Sequence, residues 1–157
     1  MNMVPIRCIE EMKATNIVWD ITLSYPLTLV CRDDEKLDIC NIEERSCLKR
    51  LVHEFKVLNA VIRDGIIISG CLHGLLVFWD LSAVLASNDF EITYESSLLI
   101  LREHSAGIPD IYIDKDTIIT DDYDGVVCIR KISLSSSLRS IFSQKQDTSG
   151  KISPTEE

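Results

Sequence analysis

The chain has 157 residues, 46% hydrophobic and 26% charged, a size and mix that suit one compact domain and exclude a long disordered chain. Its 16 Lys and Arg stand against 25 Asp and Glu, a net charge of −9 that would be repelled by phosphate backbones and anionic lipid, so neither nucleic acid nor membrane is an expected partner. No apolar run approaches the ~20 residues of a membrane helix. Arg7, Glu10, Glu11 and Lys13 stand where a signal peptide is apolar, so a cytoplasmic or nuclear protein is expected. The six cysteines (Cys8, Cys31, Cys40, Cys47, Cys71, Cys128) sit in apolar segments without a CxxC pair. They read as reduced thiols, with no metal and no cofactor.

Short β-branched runs at 66–68, 75–79, 117–120 and 126–132 alternate with polar turns and read as strands. Pro26, Gly65, Gly74, Pro109 and Gly125 fall between the runs, where turns need a special φ. A helical period never lasts beyond about two turns, the best stretch being 81–86. The runs also repeat. Moving residues 53–81 forward by 51 positions, from His53 to His104, lays them without a gap on 104–132. Ile62 then meets Ile113, Ser69 meets Thr120 and Gly74 meets Gly125. Moving the same window back by 39, from Val57 to Val18, gives a fainter third copy, with Ile68 on Leu29, His73 on Asp34 and Trp79 on Cys40. A period near 40 residues points to a propeller or a solenoid.

In chain order, residues 6–9 are expected to be an outer strand belonging to a copy before the first. The first copy covers about 12–51 and includes Trp19-Asp20, which the register puts in its first strand opposite Leu58-Asn59, as a core tryptophan. The second covers about 52–101, with strand A at Val57–Arg63, strand B at Ile66–Cys71, strand C at 75–81 and an outer strand D at about 98–101, after an insertion at 82–97. The third covers about 102–142, its outer strand placed at 138–142. Residues 143–157 are polar, without apolar period, and are expected to be disordered.

The segments Leu51-Val52-His53, Ser69-Gly70 and Val77-Phe78-Trp79-Asp80-Leu81, with Glu103-His104, Thr120 and Asp124-Gly125 in the third copy, resemble the repeat of the WD-repeat β-propeller family, which runs from Gly-His to Trp-Asp. Val52 and Glu103 replace the Gly, and Arg130 replaces the second Trp. The resemblance implies an all-β chain, an incomplete β-propeller of about three four-stranded antiparallel blades. It also implies a buried hydrogen-bond relay in each blade, formed by His53, Ser69 and Trp79 with His73 in the Asp place, and by His104, Thr120 and Asp124 with Arg130 in the Trp place. A closed propeller takes about 4–8 blades. Three blades therefore imply part of a larger ring, completed by another propeller segment or by self-association.

Propellers of this family bind proteins or peptides through loops at one end of the ring, here the connections at 52–55 and 103–107 and the turns at 32–35, 72–74 and 121–125. The turns carrying Arg32, Asp33, Asp34 and Asp121, Asp122, Tyr123 are acidic and suit a basic partner. The function expected is that of a non-catalytic interaction scaffold or adaptor. One alternative is a substrate-receptor fragment of a ubiquitin ligase of the F-box/WD-repeat type, although no F-box and no basic cluster for a phosphate is seen. The other is a metal- or thiol-dependent enzyme using Cys71 and His73, which strand alternation would place on one face. Residues 121–125 fail as a calcium loop, because the outer ligand positions fall on Thr120 and Lys131.

Overall fold

The computed structural model describes residues 6–8, 11–14 and 16–132. The described residues form three sheets, each built on a hairpin-connected antiparallel meander. Blade one contains β1 (Val18–Ser24), β2 (Leu27–Arg32), β3 (Lys36–Asn41) and β4 (Ser46–Val52). Blade two contains β5 (Val57–Arg63), β6 (Ile66–Cys71) and β7 (Leu75–Asp80). It is interrupted by α1 (Leu81–Ala86) and β8 (Glu91–Thr93) before β9 (Leu99–Arg102) closes its sheet. Blade three holds β10 (Ile111–Asp114), β11 (Thr117–Asp121) and β12 (Val127–Lys131). The chain is thus an open arc of a β-propeller, and the 39- and 51-residue periods bring β1, β2 and β3 into register with β5, β6 and β7, and these with β10, β11 and β12.

Blade two is the middle layer, and strand alternation explains why its sequence reads as continuous apolar runs. Ile67, Cys71, Leu75, Val77 and Trp79 face blade one, where they pack with Leu29, Cys31, Leu37, Ile39 and Leu51. Ile66, Ile68, Leu76 and Phe78 face blade three and pack with Ile108, Ile111 and Ile118. β5 touches both β1 and β10, so the first strands of the blades lie side by side at the inner edge. Each outer flank has one buried face and one open face. On blade one the open row includes Ile21, and on blade three it is Tyr112, Ile119 and Ile129, with Ile21 and Ile129 64% and 71% exposed. The expectation that the ring is completed by further blades concerns these two flanks.

The 82–97 insertion is real, and it does something its sequence conceals. Asp80 caps α1, accepting from the Ser82 and Ala83 backbone N–H groups at 3.0 and 3.3 Å. The chain then crosses to blade one, where β8 pairs in parallel with β4 and adds a fifth strand. Lys49 holds the crossing in place through Ser87 and Asp89 carbonyls, both 2.6 Å from its Nζ. The outer edge of blade one, whose backbone groups would otherwise face solvent, is covered.

Two expected boundaries are corrected by this geometry. Strand C ends at Asp80 because Leu81 opens α1, and strand D begins one residue later than expected, at Leu99. The outer strand expected at 6–9 is not seen over its described part: Ile6–Cys8 lie outside any strand and Ile6 is fully exposed, since no preceding blade stands among the described residues to pair with it. The outer strand expected at 138–142 and the tail at 143–157 lie outside the described residues.

Candidate interaction site

One end of the arc gathers the connections between blades and the turns between each blade's second and third strands. The joint is built the same way twice. Glu35 of blade one accepts the His53 backbone N–H at 2.9 Å, and Gly74, 39 positions later, accepts the N–H groups of Glu103 and His104 at 2.9 and 3.1 Å. Both turn residues have positive φ, 65° for Glu35 and 80° for Gly74.

Behind each joint a histidine is buried. In blade three, His104 Nε2 lies 2.8 Å from Thr120 Oγ1 and Nδ1 lies 2.9 Å from Asp122 Oδ2. A carboxylate only accepts, so Nδ1–H donates to Asp122 and Nε2 accepts the Thr120 hydroxyl proton. Asp122 Oδ1 also accepts the Asp124 and Val126 backbone N–H groups, both at 2.9 Å. The bond from Val126, followed by those from His104 and Asp124, holds the Asp122 carboxyl below its ordinary range against the opposing effect of burial. The relay residue is therefore Asp122, correcting the assignment to Asp124, which is exposed. Parity is the reason: Asp122 lies two positions after Thr120 and shares its face.

In blade two, His53 Nε2 is 2.7 Å from Ser69 Oγ and Nδ1 is 3.3 Å from the Leu51 carbonyl. The expected relay departs at two points. Trp79 packs edge-on against the His53 ring, centroids 5.2 Å apart, and its Nε1 has no hydrogen-bond partner. His73 does not reach His53: a 3₁₀ turn begins at Leu72, His73 takes φ 66°, and its ring packs on Phe55. Cys71 fills the place that Asp122 holds in blade three. In blade three Arg130 takes the Trp place by pairing with Glu103, at 3.0 Å from Nε and 2.5 Å from the second nitrogen, so the two departures from the family pattern compensate each other.

Burial without a charged partner pushes the His53 pKa down from 6.5 to about 4. The unfolded chain binds a proton at His53 below about pH 6.5 while the folded chain refuses it until about pH 4. Stability is therefore complete above 6.5 and falls as the pH drops between the two, by about 3 kcal/mol from this residue. Urea unfolding at pH 7, 5.5 and 4 measures that loss, and a His53→Gln variant with the same pH slope would assign it elsewhere.

The thiol–imidazole pair proposed with His73 is not brought together, because His73 leaves the strand and is exposed while Cys71 is 1% exposed. Burial pushes the Cys71 thiol up to about 12. Among the described residues no His, Cys, Asp and Glu side chains cluster as metal ligands.

The loop residues singled out in the sequence divide into two groups. Arg32 is 4% exposed and binds Asp34 and Asp38 at 2.6 and 3.2 Å, so it is an internal strut. Asp122 is likewise internal, and Asp121 is half-buried. Asp33, Tyr123 and Asp124 stand at the surface end, with Tyr123 64% exposed. Trp19, placed in the core by the register, is instead 52% exposed. It does lie in the first strand, but at a bulge between Val18 and Asp20 that turns its side chain outward. Its Nε1 donates to Asp33 at 2.7 Å, and Lys56 sits 4.9 Å over its ring and 2.6 Å from Asp33. The Lys56 and Trp19 bonds hold the Asp33 carboxyl below its ordinary range. The composite end carries Trp19, Asp33, His73, Tyr123 and Asp124: aromatic rings beside carboxylates. Sequence reading missed Trp19 and the Phe55–His73 pair, for which alternation carries no signal.

The architecture is that of a β-propeller. No family model matches the sequence, and no curated protein matches it. Among solved structures it resembles the computationally designed Ika4 protein (TM-score 0.59, 16% identity, covering 74% of this chain and 66% of that one). It also resembles the designed Ika8 protein (0.59, 16%, covering 73% and 33%) and a chain of the Mitotic Checkpoint Complex (0.64, 17%, covering 77% and 36%). The chain thus spans about a third of the length of the latter two and just under two thirds of Ika4. At these identities the likeness establishes the fold.

Proposed function

We propose that the protein is a non-catalytic interaction scaffold, cytoplasmic or nuclear, built on divergent WD repeats, and that it binds a basic peptide or protein segment at the end of the arc described above. The observation that carries this reading is the exposed pair Tyr123 and Asp124 at that end, beside the Trp19–Asp33–Lys56 cluster and over joints locked by the two buried histidines. Aromatic faces and carboxylates together suit Lys and Arg side chains, which offer both cation–π and ion-pair contacts. The paired histidine–hydroxyl bonds at identical spacing support the WD-repeat assignment, because such a relay is what fixes a blade of that family. The same carboxylates weigh against the ubiquitin-ligase receptor version, since an acidic or phosphorylated motif would need cations, and Arg32 and Lys56 are already engaged by Asp34, Asp38 and Asp33.

Fluorescence polarisation with labelled Lys/Arg-rich peptides and their Glu-substituted counterparts tests the reading. The basic set should bind, and a Tyr123→Ala, Asp124→Asn double variant should weaken binding about tenfold, as expected for loss of a well-packed contact worth roughly 1.4 kcal/mol. Glu44→Gln, in the turn at the opposite end, should leave it unchanged. Equal binding of the acidic counterparts, or an equal loss with Glu44→Gln, would refute the site.

A further inference from the structure

Cys40 of β3 and Cys47 of β4 are directly opposed across an antiparallel pair, where a bulge displaces the register after Ile39. Directly opposed residues in such a pair have Cα atoms about 4.5–5.5 Å apart, within the span of about 4.4–6.8 Å that a disulfide accepts. Both thiols are free, and the Cys47 S–H donates to the Lys49 carbonyl at 3.6 Å. We propose that Cys40 and Cys47 form a reversible redox site, converted to a cross-strand disulfide by a small-molecule disulfide such as oxidised glutathione.

The surroundings divide the labour between the two sulfurs. Cys40 is buried and Cys47 half-buried, and both border a cleft of about 320 Å³ lined also by Lys13, Asp38 and Arg50, the last two paired at 2.6 Å, which leaves Lys13 to meet a glutathione carboxylate. The two sulfurs act on each other, the Cys40 thiol lowering the Cys47 pKa and Cys47 raising that of Cys40. Arg50 and Arg32 favour the Cys47 thiolate further, against burial and the Asp38 carboxylate. Cys47 is therefore the attacking group and Cys40 the resolving one. The Cys47 thiolate attacks one sulfur of the glutathione disulfide, the S–S bond breaks and a glutathione thiolate leaves. Cys40 gives up its proton and attacks the Cys47 sulfur of the mixed disulfide, expelling the second glutathione. Two electrons pass from the protein pair to glutathione disulfide, and excess reduced glutathione runs the exchange backwards. The remaining buried thiols lack this arrangement: Cys31 and Cys71 are raised by burial, and half-buried Cys128 is raised as well.

The test treats the whole chain with oxidised glutathione, blocks free thiols and maps tryptic peptides by mass spectrometry. Peptides carrying Cys40 and Cys47 should appear linked, lighter by two hydrogen atoms, and return to separate peptides with excess reduced glutathione. Cys40→Ser should stop at a mixed disulfide on Cys47, and Cys47→Ser should give neither product. At pH 7, Cys47 should also be alkylated faster than Cys128, whose thiol burial and Glu103 hold up. Glutathione added without any linked peptide in the unsubstituted chain, or Cys47 reacting no faster than Cys128, would overturn the assignment. Neither of these two readings depends on a variant that folds.

Discussion

Replacing Gly74 with alanine should lower the unfolding free energy by about 3 kcal/mol or more, a larger loss than overpacking usually brings. A Cβ at Gly74 would lie 1.8 Å from the His104 carbonyl oxygen and 2.3 Å from its carbon, backbone atoms with no freedom to swing aside. The residue also holds φ at 80°, where an L side chain is strained. Relief requires the turn of blade two to part from the loop that carries His104, so the bonds from Glu103 and His104 to the Gly74 carbonyl break together. Gly125 occupies the matching place in blade three with φ 81°, yet nothing stands within 4 Å of its hypothetical Cβ. Gly125→Ala should therefore cost only the conformational penalty, about 1 kcal/mol. Urea midpoints of the two variants separate close packing from backbone strain. Equal losses would mean that the blade two–blade three joint is looser than described.

Trp79→Ala should cost about 3–5 kcal/mol, the range for deleting a buried aromatic side chain. The indole is 1% exposed and fills the joint between blades one and two, against the His53 ring. Trp79→Phe should recover most of that loss. Its ring restores much of the volume, and it removes a buried N–H that has no acceptor, whose burial costs about 1–3 kcal/mol. If the phenylalanine variant is as unstable as the alanine one, the Nε1 proton is bonded after all, as in the relay implied by the family resemblance.

The fold was legible because strands A to C of each copy are free of insertions, so a simple shift of the sequence superposes residues that share a place in space. The histidine–hydroxyl pairs were legible for the same reason: His53 to Ser69 and His104 to Thr120 are both 16 residues apart. Three features escaped. The turn register points two residues too far, to Asp124, where strand parity from Thr120 leads to Asp122. The repeat register places Trp19 in the core because it assumes a regular ladder, and the bulge beside Trp19 breaks that ladder. The pairing of β8 with β4 joins residues some 40 positions apart in parallel, and a three-residue strand with one buried side chain, Ile92, carries no pattern that declares its partner.

The account rests on blade two being sandwiched between two copies of the same unit, and amide hydrogen exchange read by mass spectrometry tests it most directly. The β6 and β7 amides, buried on both faces, should exchange slowest of all, with β1 and β12, each at an open flank, exchanging orders of magnitude faster. Protection of β6 and β7 no greater than that of β12 would contradict the arrangement.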